Sequence, residues 1–158
     1  MEKVKKTYKE FFEFLKAAQI ALESYEDSPK FSYALTRVVK ANDAIRSEYA
    51  ELIEDLKIDN ALEKDGKIQT RHENGVEIYD MSKEGKKNLR KAIKELNDQV
   101  KEFNCFITNH YPKNLDFYTA SFLSGFVLSP ETIEELEKNY LSSIEESANN
   151  LAVQTEGE

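Results

Sequence analysis

The sequence has few of the residues that form covalent cross-links and metal sites. Cys105 is its only cysteine, so no disulfide can form within the chain, as is usual for proteins of reducing compartments. Its two histidines, His72 and His110, belong to no zinc-binding or di-iron pattern. Glycine-rich phosphate loops are also absent. We therefore expect no cofactor, and an all-carboxylate site is the one metal-binding alternative that the composition leaves open.

Glycine, proline and long apolar runs are scarce as well. Five glycines and three prolines in 158 residues, of which 40% are hydrophobic, predict one ordered and mostly helical domain. No run approaches the roughly 20 apolar residues of a membrane-spanning helix. Glu10, Glu13 and Lys16 interrupt the segment that follows the basic N-terminus, so we expect neither a signal peptide nor a membrane partner.

The net charge of −8 is concentrated at one end of the chain. From Ser129 onward eight acidic residues accompany a single lysine, Lys138, which leaves a net charge of −1 for the rest. A mimic of nucleic acid would spread its carboxylates over the whole domain, so we interpret this end as a solvated acidic surface. We expect one helical domain over residues 1–147 and a disordered acidic tail over residues 148–158.

Helix signals recur along the chain. Thr7 and Glu10 form an S/T-x-x-E capping box that predicts the start of the first helix. Ser28 and Pro29 predict the start of a second helix, and its apolar residues follow a heptad pattern as far as Leu56. Asn42 is the one strongly polar member of that pattern, and we interpret it as register-setting. The members of the pattern are Phe31, Leu35, Val38, Asn42, Ile45, Tyr49, Leu52 and Leu56.

A third helix, predicted from about Ser82 to Asn109, keeps the same spacing of apolar residues. Two long helices with matching patterns predict an antiparallel coiled-coil hairpin. The turn signals in the connector, above all Asn74-Gly75, predict a small polar β-hairpin. The predicted fold is therefore mostly α: a long antiparallel helical hairpin packed with an N-terminal and a C-terminal helix. Either the chain's own first helix or a second copy, in a homo-oligomer, would close the hairpin.

The start of the third helix is strongly basic, although positive charge there opposes the helix dipole. Phosphate is one compensating group, and the acidic end of the second helix is the other. The predicted helix pairing places Glu48, Glu51, Glu54 and Asp55 beside Arg90, Lys91 and Lys94. We favour this second explanation and expect no nucleic acid partner, because no known nucleic-acid-binding module accompanies the cluster. The basic residues are Lys83, Lys86, Lys87, Arg90, Lys91 and Lys94.

Support for catalysis is weak. Cys105 and His110 form the one nucleophile–base pair worth considering, but residues five apart on a helix do not face each other. Cys105 is flanked by Phe103, Phe106 and Ile107, as a packed structural cysteine would be. We expect no enzymatic activity.

A segment without any charged residue extends from Phe117 to Pro130. It either completes the core beside the helical hairpin, the reading we favour, or forms a docking surface for a partner or a second copy. The aromatic residues of the first helix leave the same choice open. Our candidate partner-binding residues combine this segment with the acidic helix that follows it: Phe117, Tyr118, Phe122, Leu123, Phe126, Val127, Glu131, Glu134 and Glu135.

Several stretches taken in order resemble an uncharacterised family of small phage-encoded helical proteins, a domain of unknown function. They are "FLKAAQIALES", "FSYALTRVVKANDAIRSEYAELIEDL", "KDGKI", "KKNLRKAIKELND" and "LSPETIEELEKNYL". The resemblance covers the chain from about Tyr8 to Leu141. It implies a viral origin, a location in the host cytoplasm or the virion, and a place in particle assembly, and it supplies no catalytic residues.

We therefore expect a non-enzymatic interaction protein whose partner is a phage structural protein, in virion assembly or as a minor structural component. The alternative is a small acidic inhibitor that binds a host factor, in host takeover or anti-defence. Salt dependence distinguishes the two, because binding through carboxylates weakens with ionic strength and an apolar contact does not.

Overall fold

The first element of the fold is a strand that the sequence patterns do not predict. In the computed structural model, which describes residues 1–156, β1 (Glu2–Thr7) leads directly into α1 (Tyr8–Ser24). The predicted capping box is present at the junction. The Thr7 hydroxyl accepts a hydrogen bond from the Glu10 N–H at 3.1 Å, and the Glu10 carboxylate accepts one from the Thr7 N–H at 3.0 Å.

The predicted second helix is broken at Asn42 into α2 (Pro29–Ala41) and α3 (Asp43–Asn60). Asn42 is at once the C-cap of α2 and the N-cap of α3. The apolar spacing continues across this position, and for that reason the pattern alone predicts a continuous helix. The connector that follows also differs from the prediction, because it contains two small hairpins rather than one.

Both hairpins turn on residues with positive φ, which two-residue type I′ turns require. Asp65 and Gly66 form the first turn, and Asn74 and Gly75 form the second. Leu62, Gln69 and Asp80 join the hairpins through backbone hydrogen bonds of 2.8–2.9 Å. The strands are β2 (Glu63–Lys64), β3 (Lys67–Ile68), β4 (Thr70–Glu73) and β5 (Val76–Tyr79).

The predicted third helix ends twelve residues early. α4 covers Lys83–Asn97, and the chain then extends into β6 (Val100–Cys105), which pairs antiparallel with β1. α3 and α4 run antiparallel, since the Tyr49 hydroxyl donates to Asn97 Oδ1 at 2.6 Å while Gly85 lies against the backbone of Asn60 at the other end.

The C-terminal part of the fold contains α5 (Phe117–Phe122) and the long helix α6 (Pro130–Glu156). Ser129 begins α6 as predicted, because its hydroxyl accepts a hydrogen bond from the Thr132 N–H at 3.2 Å. α6 continues through residues 148–156, for which the composition predicts disorder. The last two positions of that predicted tail, 157 and 158, lie outside the described residues.

The predicted fold class is wrong. Within residues 1–156 about 61% of the chain is helix and 17% is strand, and the six helices found there form a mixed α/β fold with small antiparallel sheets. The physical reason is the pairing of β1 with β6, which joins segments far apart in the sequence and draws residues 100–105 out of the predicted third helix. The antiparallel pair that does form, α3 with α4, is therefore shorter than the predicted hairpin.

The core is built around aromatic rings from α1, β6 and the segment before α6. Phe11 stacks on Phe103 with ring centroids 4.5 Å apart, and Phe14 stacks on Phe126 at 4.3 Å. Phe12, on the flank of α1, packs on Tyr49 of α3 at 4.4 Å. The aromatic residues of α1 are thus covered by the chain's own elements, so α1 presents no open aromatic face.

Candidate interaction surfaces

The charge-free segment divides into a buried part and an exposed part. Leu123, Phe126 and Val127, three of the candidate partner-binding residues, are fully buried in the core together with Leu128. The Phe106 N–H donates to the Phe126 carbonyl and the Thr108 N–H to the Val127 carbonyl, both at 2.9 Å. These bonds attach the segment to the chain just beyond β6, so the three residues offer no surface to a partner in this fold.

Gly125 allows the segment to lie close to the first strand. Its φ is +81°, and a Cβ at this position would lie 3.0 Å from Lys6 Cε and 3.3 Å from Val4 Cγ2. The close approach explains why a short turn between α5 and α6 contributes so many core residues.

The exposed part of the segment is the outer face of α5. Tyr118 and Phe122 are one helical turn apart and are 68% and 41% exposed, because Ala120 and Leu123 occupy the inner face. Phe117 is half-buried and stacks on Tyr140 of α6 with centroids 5.5 Å apart. α5 and α6 therefore present one joined surface.

α6 is covered by the rest of the fold only along its first turns. Ile133 and Leu136 pack against the core, whereas Leu141 and Ile144 are 51% and 49% exposed. At 1.5 Å per residue its 27 residues extend for about 40 Å. Five exposed apolar residues of α5 and the first half of α6 are called the α5/α6 surface: Tyr118, Phe122, Tyr140, Leu141 and Ile144.

The acidic candidates lie on the other side of α6. Glu131, Glu134 and Glu135 are exposed, and helical spacing places them away from Ile133 and Leu136. Among the side chains that the structure describes, none of the three forms an ion pair within 4.0 Å. α6 thus combines an apolar stripe with a separate carboxylate face. Sequence patterns identify the stripe, but only the structure identifies the part of it that is left uncovered.

The basic residues of α4 form a third surface. All six are exposed, and no carboxylate in the described part of the chain lies within 4.0 Å of their charged groups. The expected ion pairs from Glu48, Glu51, Glu54 and Asp55 to this helix are not formed. Glu54 instead accepts a hydrogen bond from the Tyr79 hydroxyl of β5, which raises the pKa of Tyr79.

Asn42 is buried in the core, where it joins the α2–α3 junction to β6. Its amide donates to the Val38 carbonyl at 2.9 Å and to the Asn104 carbonyl at 3.0 Å. Its Oδ1 accepts from the Asn104 N–H at 2.8 Å. Asn42 thereby satisfies both backbone groups of Asn104 on the edge of β6 opposite β1, much as a residue on a third strand would.

Cys105 and His110 lie in different environments. Cys105 is on β6, opposite Glu2 of β1, and burial raises the pKa of its thiol. His110 is exposed beyond the strand, beside a shallow groove of about 450 Å³ that Lys30 and Tyr33 of α2 also line. A protonated, enclosed thiol is a poor nucleophile.

The described residues contain neither a cluster suited to a metal ion nor a membrane-spanning helix. Within the described part of the chain, no group of three or more His, Cys, Asp or Glu side chains is placed to hold a metal ion. None of the helices that the structure describes combines the length and apolar character needed to cross a bilayer.

Comparison with known proteins gives no relative from which a role could be transferred. No family model matches the sequence, and no curated protein or solved structure matches it significantly. The resemblance to small phage proteins therefore stays a prediction, and the surfaces described above are what the structure offers as a guide to function.

Proposed function

We propose that this chain is a non-enzymatic interaction protein of phage origin that binds a structural protein of the virus particle through the α5/α6 surface. The observation that carries the proposal is the half-covered stripe of α6, with Leu141 and Ile144 about half exposed. Exposed apolar patches on globular proteins often mark the sites at which a partner binds.

The surface has the composition of an interface centre. Tyr118, Phe122 and Tyr140 supply rigid aromatic area, and Leu141 and Ile144 supply aliphatic area. An amphipathic helix docking into an apolar groove of its partner is a common recognition mode. The phage origin comes from the sequence resemblance and supplies the class of partner.

The test is an affinity purification of the tagged protein from infected host cells, followed by quantitative mass spectrometry. The test variant is Leu141→Ser/Ile144→Ser, and the matched control is Val76→Ser/Ile68→Ser, which removes exposed aliphatic residues from the hairpins instead. We expect capsid or tail proteins with the wild type and the control, and at least tenfold less with the test variant. That loss corresponds to about 1.4 kcal/mol.

Recovery of particle proteins that is equal for the test variant and the wild type would contradict the proposed surface. Recovery of no particle proteins with any form would contradict the proposed role. Circular dichroism of both variants separates a lost contact from a lost fold.

The alternative role, inhibition of a host protein, is favoured by the carboxylate face of α6. Glu131, Glu134 and Glu135 are exposed and form no ion pairs among the described side chains. If a host enzyme is recovered instead, the charge reversal Glu131→Lys/Glu135→Lys and a rise in salt should both weaken its binding. Binding that resists both changes would exclude this alternative.

A further inference from the structure

The basic residues of α4 form one continuous face. Positions 83, 86, 87, 90, 91 and 94 recur at helical spacing, so their side chains extend from the same side of the helix over about 16 Å. We call Lys83, Lys86, Lys87, Arg90, Lys91 and Lys94 the α4 basic face.

Packing against α3 fixes the direction of this face. Leu96 is buried, Leu89 is half-buried, and Gly85 lies so close to α3 that a Cβ on it would be 2.8 Å from the Asn60 carbonyl oxygen. These three residues lie on the opposite side of α4 from the cations. The α4 basic face therefore points away from α3.

No described carboxylate forms an ion pair with the face, although Glu84 lies in the first turn of the same helix. Its six cations make no ion pair within 4.0 Å with any described side chain. The first half of the helix, where the dipole disfavours positive charge, contains Lys83, Lys86 and Lys87. The ion pairs with α3 that the sequence led us to expect are thus not formed. An external anion is the other group that could compensate the charge of this face.

The composition of the face distinguishes between classes of anionic partner. Five of its six cations are lysines, and lysine is depleted at the centres of protein–protein interfaces. No apolar residue stands among them to be buried against a protein surface. A phosphate backbone needs only positive charges at suitable spacing, and double-stranded DNA carries about one negative charge per 1.7 Å of its axis.

We propose that the α4 basic face binds the phosphate backbone of double-stranded nucleic acid without reading its sequence. The inference does not depend on the proposed docking function of the α5/α6 surface, which lies on other elements. The acidic face of α6 in a second copy of the chain is the competing occupant, and the experiment below separates the two.

The test measures binding of the full chain to a fluorescently labelled 20-base-pair DNA duplex by anisotropy at several salt concentrations. Four to six phosphate contacts would give a slope of about −3.6 to −5.4 in log K against log salt concentration. The test variant is Lys87→Glu/Lys94→Glu, and the control is Lys9→Glu/Lys16→Glu, the same charge change at the same spacing on the exposed side of α1.

We expect the test variant to bind DNA at least tenfold more weakly than the control variant, with a shallower salt slope. Absence of binding at about 50 mM salt would overturn the proposal, as would equal losses in the two variants. Self-association of the chain, measured by light scattering and abolished by the test variant alone while DNA binding is absent, would assign the face to a second copy. Circular dichroism confirms that each variant is folded.

Discussion

Asn42 acts at the scale of a single residue but determines how three elements meet. Its side chain is fully buried and hydrogen-bonds three backbone groups, one on α2 and two on β6. In a coiled coil, a lone asparagine lowers stability and specifies register. Here its side-chain amide makes the hydrogen bonds that a neighbouring strand would make to β6. We therefore expect Asn42 to raise the stability of this fold rather than to lower it.

This difference gives a sharp prediction for Asn42→Leu. In a coiled coil the change would stabilise the protein, whereas here it leaves the N–H and C=O of Asn104 without partners. We expect the free energy of unfolding to fall by about 3 kcal/mol, since each unsatisfied buried group costs roughly 1–3 kcal/mol. Urea denaturation of the variant and the wild type measures the change. An increase in stability would contradict the hydrogen-bonded role of Asn42.

Tyr8 and Tyr49 form a matched pair for a second prediction. Their rings are 5.1 Å apart, and burial raises the pKa of both hydroxyls. The Tyr49 hydroxyl donates to Asn97, whereas the fully buried Tyr8 hydroxyl has no hydrogen-bond partner among the described residues.

We expect Tyr49→Phe to lower the free energy of unfolding by about 1 kcal/mol, because it removes a hydrogen bond. Tyr8→Phe should leave it unchanged or raise it, because it removes a buried polar group that lacks a partner. Thermal and urea denaturation of both variants make the comparison. Equal losses would show that the Tyr8 hydroxyl is satisfied in solution.

At the scale of the element, the start of α1 should make stability depend on pH. The hydrogen bond from the Thr7 N–H, assisted by Lys6 at 3.6 Å, lowers the pKa of Glu10 below its ordinary value of 4.5, against the effect of partial burial. Because the folded-state pKa is the lower one, the unfolded chain binds more protons at acidic pH. The stabilisation is therefore complete above the unfolded-state value and is lost as pH falls through the folded-state pKa.

We expect the difference in unfolding free energy between the wild type and Glu10→Gln to be largest near neutral pH and to shrink as pH falls below 4.5. Urea denaturation at several pH values measures this difference. Glu13→Gln, on the same helix but outside the capping box, is the charge-matched control. A difference that does not change with pH would show that the carboxylate of Glu10 contributes nothing through its charge.

Elements whose signals are local are the ones that the sequence predicts well. Thr7 with Glu10, Ser28 with Pro29, and Asn74-Gly75 each act within a few residues, and each lies at a helix start or turn in the structure. β6 has no such signal. Val100 and Phe103 suit a helical spacing, and Phe103 with Cys105 suits the alternation of a strand. The pairing with β1 is what makes residues 100–105 a strand rather than a continuation of the helix.

The candidate surfaces also depend on contacts between distant parts of the chain, which leave no local signal in the sequence. The charge-free segment is recognisable from composition, yet the burial of Phe126 and the exposure of Tyr118 depend on Gly125 lying against β1. The spacing of the α4 basic face is also readable from the sequence. Whether carboxylates neutralise it depends on the side-chain contacts between α3 and α4, which a heptad pattern does not determine.

At the scale of the whole molecule, charge is separated between two helices. α4 presents six exposed cations, while the carboxylates of α6 face solvent near the other end of the chain. The net charge of −8 hides this separation. Two surfaces of opposite sign on one small domain allow it to contact an anionic and a cationic or apolar partner at once, so the two proposals above are compatible.

The pairing of β1 with β6 also determines when the protein can finish folding. Glu2 lies opposite Cys105, so this pairing closes about two thirds of the chain into a loop. A ribosome that adds about 5–20 residues per second needs several seconds to proceed from one strand to the other. During that interval Phe11 and Phe14 lack their stacking partners, Phe103 and Phe126, which have not yet been synthesised. The nascent chain thus carries an uncovered aromatic surface that a chaperone can recognise, and the native core closes only after most of the chain has been made.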